Sequence, residues 1–434
     1  MKAGQLRGIL RGRDFRRLYA TRLASQLSDG VFQVALAGYV FFSPERQTTA
    51  GKAAAAFAVT LLPYSALGPF AGVFIDRWRR RQILVWAPVL RAALVLGVAG
   101  LVAAGQDGLG FFLAVLVVLG VNRFFLAALS AALPHVVRRD QLVTANAFTV
   151  TSGTVIAFAG AGIGYLLRRL FGAGHEGTGL ILVSAAALFL LAGTIATTLP
   201  KALLGPHRAA DAPPDAPRVR DALGGVVSGL ADGARHIARR PQAALALGAI
   251  SFHRFLYGVV LIMTLLLCRD HFADDPDRGL ETFALMLGVS GAGYFAAALI
   301  TPAVVRRISK QAWTAWLLAT AAASLLLLGM SFAERPWAVG AFLLGVVSQG
   351  VKLCVDTTLQ EGIDDAYRGR VFAVYDMLFN ATFAAAAAAA ATWLPSDGRA
   401  APTLLAVIVA YAAGAVAYRT AASRIVRRPV HAFR

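Results

Sequence analysis

The chain has 434 residues, of which 58% are hydrophobic and only 15% are charged, and its mean hydropathy is +0.64. This composition excludes an ordinary soluble globular domain and indicates a membrane protein. The net charge of +19 is large enough to suggest nucleic-acid binding, so the placement of the basic residues decides its meaning.

Apolar runs long enough to cross a bilayer, which takes about 20 residues, recur along the whole chain. We predict an all-α membrane protein with twelve transmembrane helices in two six-helix bundles. The predicted spans are 17–42, 53–75, 83–104, 109–132, 144–167, 178–199, 243–268, 280–304, 311–332, 336–359, 371–394 and 401–418.

If the N-terminus is cytoplasmic, the basic residues concentrate at the cytoplasmic ends of the spans. The densest groups lie within 7–17, 77–81, 138–139, 239–240, 306–307 and 427–428. This is the positive-inside pattern. We therefore predict a multi-pass protein of the bacterial inner (cytoplasmic) membrane with both termini cytoplasmic. Membrane lipids, anionic at the inner surface, are its expected partners, and nucleic acid is not.

The loop after the second predicted span joins an apolar helix end to dense charge, in "GPFAGVFIDRWRRRQIL" at 68–84. Gly72 has no side chain, so two helices can approach closely there. Asp76 lies at a helix end, where arginines and the positive N-terminus of another helix stabilise a carboxylate. The arginines alone are equally consistent with anchoring the span at the membrane boundary.

One long break divides the predicted spans into two sets of six. The first half of 201–240 is rich in Pro, Ala and Asp and is typical of a flexible linker. The second half has apolar residues at helical spacing, which predicts an amphipathic helix on the inner membrane surface. We predict an N-terminal six-helix bundle at 1–200, a cytoplasmic linker with this helix at 201–240, and a C-terminal six-helix bundle at 241–434.

The two halves also show internal repetition. An offset of 225 residues aligns 68–81 with 293–306, where five residues match, and it aligns Leu-Gly-Val at 119–121 with Leu-Gly-Val at 344–346. Halves related by a parallel repeat place a substrate site between them, near the middle of the bilayer.

Three stretches resemble a known family of transporters. The stretch 68–84 resembles motif A of the major facilitator superfamily, whereas 132–148 and 368–380 are similar to inner loops of its drug:proton antiporter branch, which includes macrolide and enterobactin exporters. The resemblance implies the major facilitator fold and transport by alternating access. It also implies a gate that closes the inner side, formed by Gly72, Asp76, Arg77, Arg80, Arg81 and Arg370.

Span five carries Gly153, Gly160, Gly162 and Gly164. These glycines resemble motif C of the antiporters, although Ala161 stands where that motif has proline. Close helix packing by small residues is the favoured interpretation.

Ionisable residues inside the spans are the second functional signal, because a charge at a helix centre costs ~2.5 to 3.5 kcal/mol even on the lenient insertion scale. The 225-residue offset places Asp29 on Arg254. We predict that Asp29 is the proton acceptor and that Arg254, with Arg123 nearby, changes its affinity for protons according to the open side. A static pair that holds the halves together is the alternative. The proton-coupling candidates are Asp29, Arg123, His253, Arg254 and Asp376.

Three of the intramembrane cations have further interpretations. Arg123 fits the family's span-four motif L-x-x-x-R, which the resemblance links to proton coupling. An imidazole such as that of His253 gains and loses a proton near neutral pH, but a satisfied packing role is equally consistent. Arg91 is expected to reach toward the inner headgroups.

Candidate substrate contacts are spread over spans one, seven, ten and eleven. For the aromatic residues, core packing is the alternative. Lys352 and Asp356 are four residues apart, so a local ion pair is at least equally consistent. The predicted cavity residues are Phe32, Gln33, Tyr257, Gln349, Lys352, Asp356 and Asn380.

No phosphate-binding loop, metal cluster or Ser-His-Asp arrangement is visible in the sequence. We therefore expect no enzymatic activity, no cofactor and no metal. We predict a monomeric secondary transporter that exports an amphiphilic small molecule, a drug or a metabolite, in exchange for protons. The alternatives are a proton-coupled importer or lysophospholipid flippase, and a non-transporting membrane sensor or assembly protein.

Overall fold

The computed structural model describes residues 8–42, 78–138, 141–200, 203–204 and 219–427. Within these ranges the long regular elements are all α-helices. They are α1 (Arg13–Phe41), α2 (Arg80–Ala103), α3 (Leu109–Ala132), α4 (Leu142–Phe171), α5 (His175–Thr197), α6 (Val219–Ala238), α7 (Pro241–Asp270), α8 (Pro276–Val304), α9 (Lys310–Leu327), α10 (Glu334–Gly362), α11 (Asp365–Trp393) and α12 (Ala401–Arg427).

The helices confirm an all-helical membrane fold. Among the described residues, ten helices are long and apolar enough to cross a bilayer, namely α2 to α5 and α7 to α12. The first predicted span, 17–42, falls on α1, which has 29 residues but carries more charge than the other ten. The second predicted span, 53–75, lies outside the described ranges. The count of twelve spans therefore stays a prediction.

The chain divides into two compact units. The described residues of the first unit end at Val226 and contain α1 to α5, whereas those of the second begin at Val227 and contain α7 to α12. The division falls inside α6, within the segment 201–240 that the sequence marks as a linker.

Apolar side chains fill the interior of the first unit. Phe32 of α1, Val95 of α2, Val115 of α3 and Phe189 of α5 belong to one buried cluster. A second cluster forms around Phe15 and the ends of α2 and α3. These clusters fix the rotation of each helix, and so they decide which polar side chains face the interior.

Glycines set the distance between two pairs of helices. A Cβ on Gly160 of α4 would overlap the carbonyl oxygen of Leu27 in α1, whereas Gly162 faces open space. In the second unit, a Cβ on Gly345 of α10 would overlap the carbonyl oxygen of Ser290 in α8. The backbones approach closely at both crossings because no side chain separates them. This geometry supports the packing interpretation of the span-five glycines.

A Gly345→Leu variant is expected to be destabilised by about 1 to 3 kcal/mol or more, the usual cost of overpacking an interior contact. Thermal unfolding of the protein in detergent would measure the loss as a lower midpoint. Gly288→Leu is the matched control, because it lies on the same helix pair with nothing within 4 Å of the added carbon. Equal midpoints for the two variants would show that the α8–α10 crossing does not need glycine.

The linker helix α6 contacts the second unit through its C-terminal half. The ring of His236 stacks on Tyr367 with the ring centres 4.2 Å apart. Just beyond the helix, Arg240 donates to the carboxylate of Asp364 at 2.6 Å. A helix is present at this place, and part of its surface packs on protein at the start of α11, while the predicted position of the helix on the inner membrane surface stays a prediction.

Candidate functional site

A buried ion pair lies in the middle of the first unit. Asp29 of α1 is 5% exposed and Arg91 of α2 is 0% exposed. Their carboxylate and guanidinium form a salt bridge through Asp29 Oδ1 and Arg91 Nη2. Asp29 therefore has a cationic partner within its own unit.

Neighbouring polar and aromatic groups complete the surroundings of Arg91. Its Nη1 donates to Asn122 Oδ1 at 3.0 Å and lies 3.4 Å from Ser25 Oγ. Its guanidinium carbon lies 4.0 Å from the centre of the Phe189 ring, which is cation–π distance. The Nε atom has no hydrogen-bond partner among the described residues.

The expectation that Arg91 reaches toward the inner headgroups was wrong. The residue is fully buried because Asp29 and Asn122 supply hydrogen-bond acceptors inside the bundle, and Phe189 covers the guanidinium. Sequence reasoning missed Asn122 as well, although it directly precedes Arg123. The signal available in the sequence was the cost of an unpaired charge inside a membrane, which favours a basic partner for an intramembrane acid such as Asp29.

The other predicted partners of Asp29 stay predictions. Arg123 is half-buried on α3. Arg254 belongs to the second unit, whereas Asp29 belongs to the first.

The described arginines of the motif A stretch bind the end of α5. Arg81 donates from Nε to the carbonyl of Leu199 at 2.6 Å and from Nη2 to that of Thr197 at 2.7 Å. Arg80 Nη1 lies 3.1 Å from the carbonyl oxygen of Leu204. Arg80 Nη1 also lies 2.6 Å from His135 Nε2, just after α3. Basic side chains are favourable at the carbonyl end of a helix, so Arg81 joins α2 to the end of α5, whereas Arg80 joins α2 to the segments that follow α3 and α5.

Of the other residues predicted to form the gate, only Arg370 lies within the described ranges. Gly72, Asp76 and Arg77 lie outside the described ranges, so their predicted gate role is untested. Arg370 lies in the first turns of α11, with its guanidinium carbon 5.4 Å from the centre of the Tyr367 ring.

In the second unit, His253 is fully buried and has a partner for each ring nitrogen. Its Nε2 is 2.7 Å from Ser348 Oγ, and its Nδ1 is 3.1 Å from the hydroxyl of Tyr411. These contacts join α7 to α10 and α12. They support the interpretation of His253 as a satisfied packing residue.

Arg254, the next residue along α7, has an aromatic environment. Its guanidinium carbon lies 3.9 Å from the centre of the Phe379 ring, 4.6 Å from that of Phe383 and 5.9 Å from that of Tyr257. Only 9% of the residue is exposed, and its buried Nε has no hydrogen-bond partner. Within the described part of the chain, no carboxylate forms an ion pair with it.

Lys352 and Asp356 form a local ion pair on α10, with Nζ 2.6 Å from Oδ2. This contact confirms the ion-pair interpretation of the two residues. On α11, Asn380 donates to the backbone carbonyl of Asp376 at 2.8 Å, while the Asp376 side chain is exposed.

The remaining predicted cavity residues differ in burial. Phe32 is fully buried in the core of the first unit, whereas Gln33 is exposed and Gln349 is half-buried. Their roles as substrate contacts stay predictions.

A cavity of about 30 Å³ lies within the second unit, between α7, α8, α9 and α10. Its lining is mostly apolar, with polar atoms from Tyr257, Ser290, Thr264 and Trp337. Trp337 Nε1 donates to Thr264 Oγ1 at 3.0 Å, and the Tyr257 hydroxyl lies 3.4 Å from Ser290 Oγ. A drug-sized ligand needs a pocket of roughly 300 Å³ or more, so this cavity accepts only a small group.

The sequence model of the protein family described as the Major Facilitator Superfamily matches residues 18–389. Two relatives named as MFS-type transporters, from Mycobacterium bovis and Mycobacterium tuberculosis, are each 40% identical over 408 residues, covering 93% of this chain and 90% of their own.

Solved transporter structures share the fold. A variant of the nucleoside transporter NupG has a TM-score of 0.66 at 13% identity, over 93% of this chain and 98% of that one. A bacterial homologue of the human lysosomal transporter Spinster, in an inward-facing and unoccupied conformation, has a TM-score of 0.64 at 12% identity, and the match covers 100% of both chains. At these identities the likeness is one of fold.

Proposed function

Because the chain belongs to the Major Facilitator Superfamily of membrane transporters, we propose that it exports an amphiphilic small molecule in exchange for protons. Transport proceeds by alternating access in the inner membrane of a bacterium. Protons enter from outside as substrate leaves.

The observation that carries the proposal is the buried pair of Asp29 and Arg91. Charged side chains inside membrane segments are costly and mark proton or substrate pathways. A proton bound to Asp29 removes the negative charge, so Arg91 loses its ionic partner and the α1–α2 contact weakens. Loss of the proton restores the pair.

This exchange gives the transporter two states that differ in one proton. A ligand shifts a conformational equilibrium only by its difference in affinity for the two states. The proton meets that condition if one state keeps the Asp29–Arg91 pair and the other exposes Asp29 to water. At ~2.3 kcal/mol per charge per 100 mV, one proton supports a roughly tenfold to hundredfold substrate gradient.

The export direction is proposed from sequence resemblance, and the amphiphilic substrate from the apolar surroundings in the second unit. The stretches 132–148 and 368–380 are similar to those of drug:proton antiporters. The second unit packs phenyl rings on Arg254 and has a small, mostly apolar cavity nearby, surroundings that suit contact with part of an apolar group.

Inverted membrane vesicles test the proposal. Respiration acidifies their interior, and a quenched acridine dye reports the pH gradient. Addition of ethidium, octyl phosphate or octyltrimethylammonium is expected to partly restore fluorescence for at least one probe, because export moves protons out of the lumen. Vesicles without the transporter are the control. Substrate-dependent proton movement only in right-side-out vesicles would indicate import, and none in either orientation would overturn proton coupling.

A further inference from the structure

We infer that Arg254 binds an anionic group of the transported molecule, so that the substrate is an amphiphile with a carboxylate or a phosphate. That this molecule is transported rests on the proposed function. The binding site itself depends only on the second unit.

Arg254 has no acidic partner in the part of the chain that the structure describes. A buried charge needs an opposite charge and hydrogen-bond acceptors to offset its lost hydration. Arg254 is 9% exposed, and its buried Nε has no hydrogen-bond partner among the described residues, none of which forms an ion pair with it. A guanidinium always carries its charge, so it cannot escape this cost by losing a proton.

The aromatic neighbours offset only part of that cost. Phe379 and Phe383 hold the guanidinium at 3.9 and 4.6 Å from their ring centres, and the ring faces attract a cation. They supply no acceptor for its five N–H donors. An arginine held in this way is preorganised to accept a carboxylate or phosphate through two parallel hydrogen bonds.

The contrast with Arg91 in the first unit supports this assignment. Arg91 is also buried, but Asp29, Asn122 and Ser25 supply oxygen atoms around it. The described residues therefore provide acceptors for Arg91 but no carboxylate for Arg254. The acceptor for Arg254 then comes from a ligand.

Tyr257 gives the site an apolar continuation. Its ring lies 5.9 Å from the Arg254 guanidinium, and it also lines the cavity between α7, α8, α9 and α10. An anionic group at Arg254 is thus close to apolar surface that accepts part of an alkyl chain.

Equilibrium binding to purified protein in neutral phosphatidylcholine nanodiscs tests the inference without any pH gradient. The probes are octyl phosphate, octanoate and octyltrimethylammonium, which share one alkyl chain. Wild type is expected to bind an anionic probe at least tenfold more tightly than the cation. Arg254→Met is expected to lose that preference, and Arg254→Lys to keep part of it.

The control variant is Arg269→Met, on the same helix and paired with Asp270, which is expected to bind like wild type. Equal affinity of wild type for all three probes would overturn the inference, as would an unchanged preference in Arg254→Met. Repeating the titration with phosphatidylglycerol in the nanodisc identifies the source of the anion. Weaker binding of octyl phosphate there means that a lipid headgroup occupies the site, and unchanged binding means that a free amphiphile does.

Thermal unfolding provides an independent readout. Ligand-free Arg254→Met is expected to unfold at the same temperature as wild type or higher, because the substitution removes an unpaired buried charge and keeps an apolar side chain between the phenyl rings. A fall as large as that of Arg91→Met would assign Arg254 to a structural ion pair and overturn the inference. If the anion preference holds while vesicles show no proton movement, only the proposed antiport fails.

Discussion

An Asp29→Asn variant is expected to lose substrate accumulation driven by a pH gradient, at least tenfold and down to the level of vesicles without transporter. Asparagine is nearly isosteric with aspartate and still offers Arg91 an oxygen acceptor, but it cannot bind and release a proton. The variant resembles a transporter held permanently in the protonated form. Substrate exchange that needs no proton gradient is expected to persist.

Both activities are measured in the same proteoliposomes, with the amount of folded protein used to normalise the rates. Asp29→Glu keeps a titratable carboxyl group and is expected to retain part of the coupled activity. Glu361→Gln is the matched control, because Glu361 also forms an ion pair, with Lys310, but at an exposed helix end. Coupled accumulation by Asp29→Asn at the wild-type rate would move the proton site to another acid.

The sequence was sufficient to predict the helical membrane fold and Asp29 as a residue of interest, because both depend on local composition. Ten of the spans predicted from hydropathy fall on described helices that are long and apolar enough to cross a membrane. An aspartate inside an apolar run is visible without any tertiary structure, and its cost in a membrane marks it for function.

The partner of Asp29 was not predictable in the same way. Arg91 lies 62 residues away in the chain, and only the tertiary structure, in which α1 and α2 both pack on α5, brings the two together. The internal repeat does not help, because the 225-residue offset places Arg91 on Trp316 and Asn122 on Val347. The polar cluster of the first unit therefore has no counterpart at these positions in the second.

The contacts of the linker helix show a similar limit. Apolar residues at helical spacing predicted an amphipathic α6, but the spacing does not tell a membrane surface from a protein surface. The ion pair of Arg240 with Asp364 spans 124 residues. Only the tertiary structure assigns this end of α6 to the start of α11.

The buried charges suggest that the two units have different roles. In the first unit an acid and a base neutralise each other, so a proton is the ligand that changes their state. In the second unit Arg254 has no acid among the described residues, so an anion is the ligand that it lacks. Under our proposals, the first unit senses the proton and the second binds the charged group of the substrate.

An Arg91→Met variant is expected to be destabilised by about 3 to 5 kcal/mol, the usual cost of removing one partner of a buried ion pair. The loss arises because Asp29 stays buried without a cation. It is expected to be smaller at acidic pH, where a proton neutralises the carboxylate. Denaturation of the purified protein across a pH series measures both effects.

The double variant Asp29→Asn/Arg91→Met separates the charge from the packing. It removes both charges and keeps side chains of similar volume, so most of the stability lost in Arg91→Met is expected to return. The remaining loss reports the hydrogen bond of Arg91 to Asn122 and its contact with Phe189. If the double variant is as unstable as Arg91→Met at every pH, the cluster serves helix packing alone, and the ion pair is not the element that a proton switches.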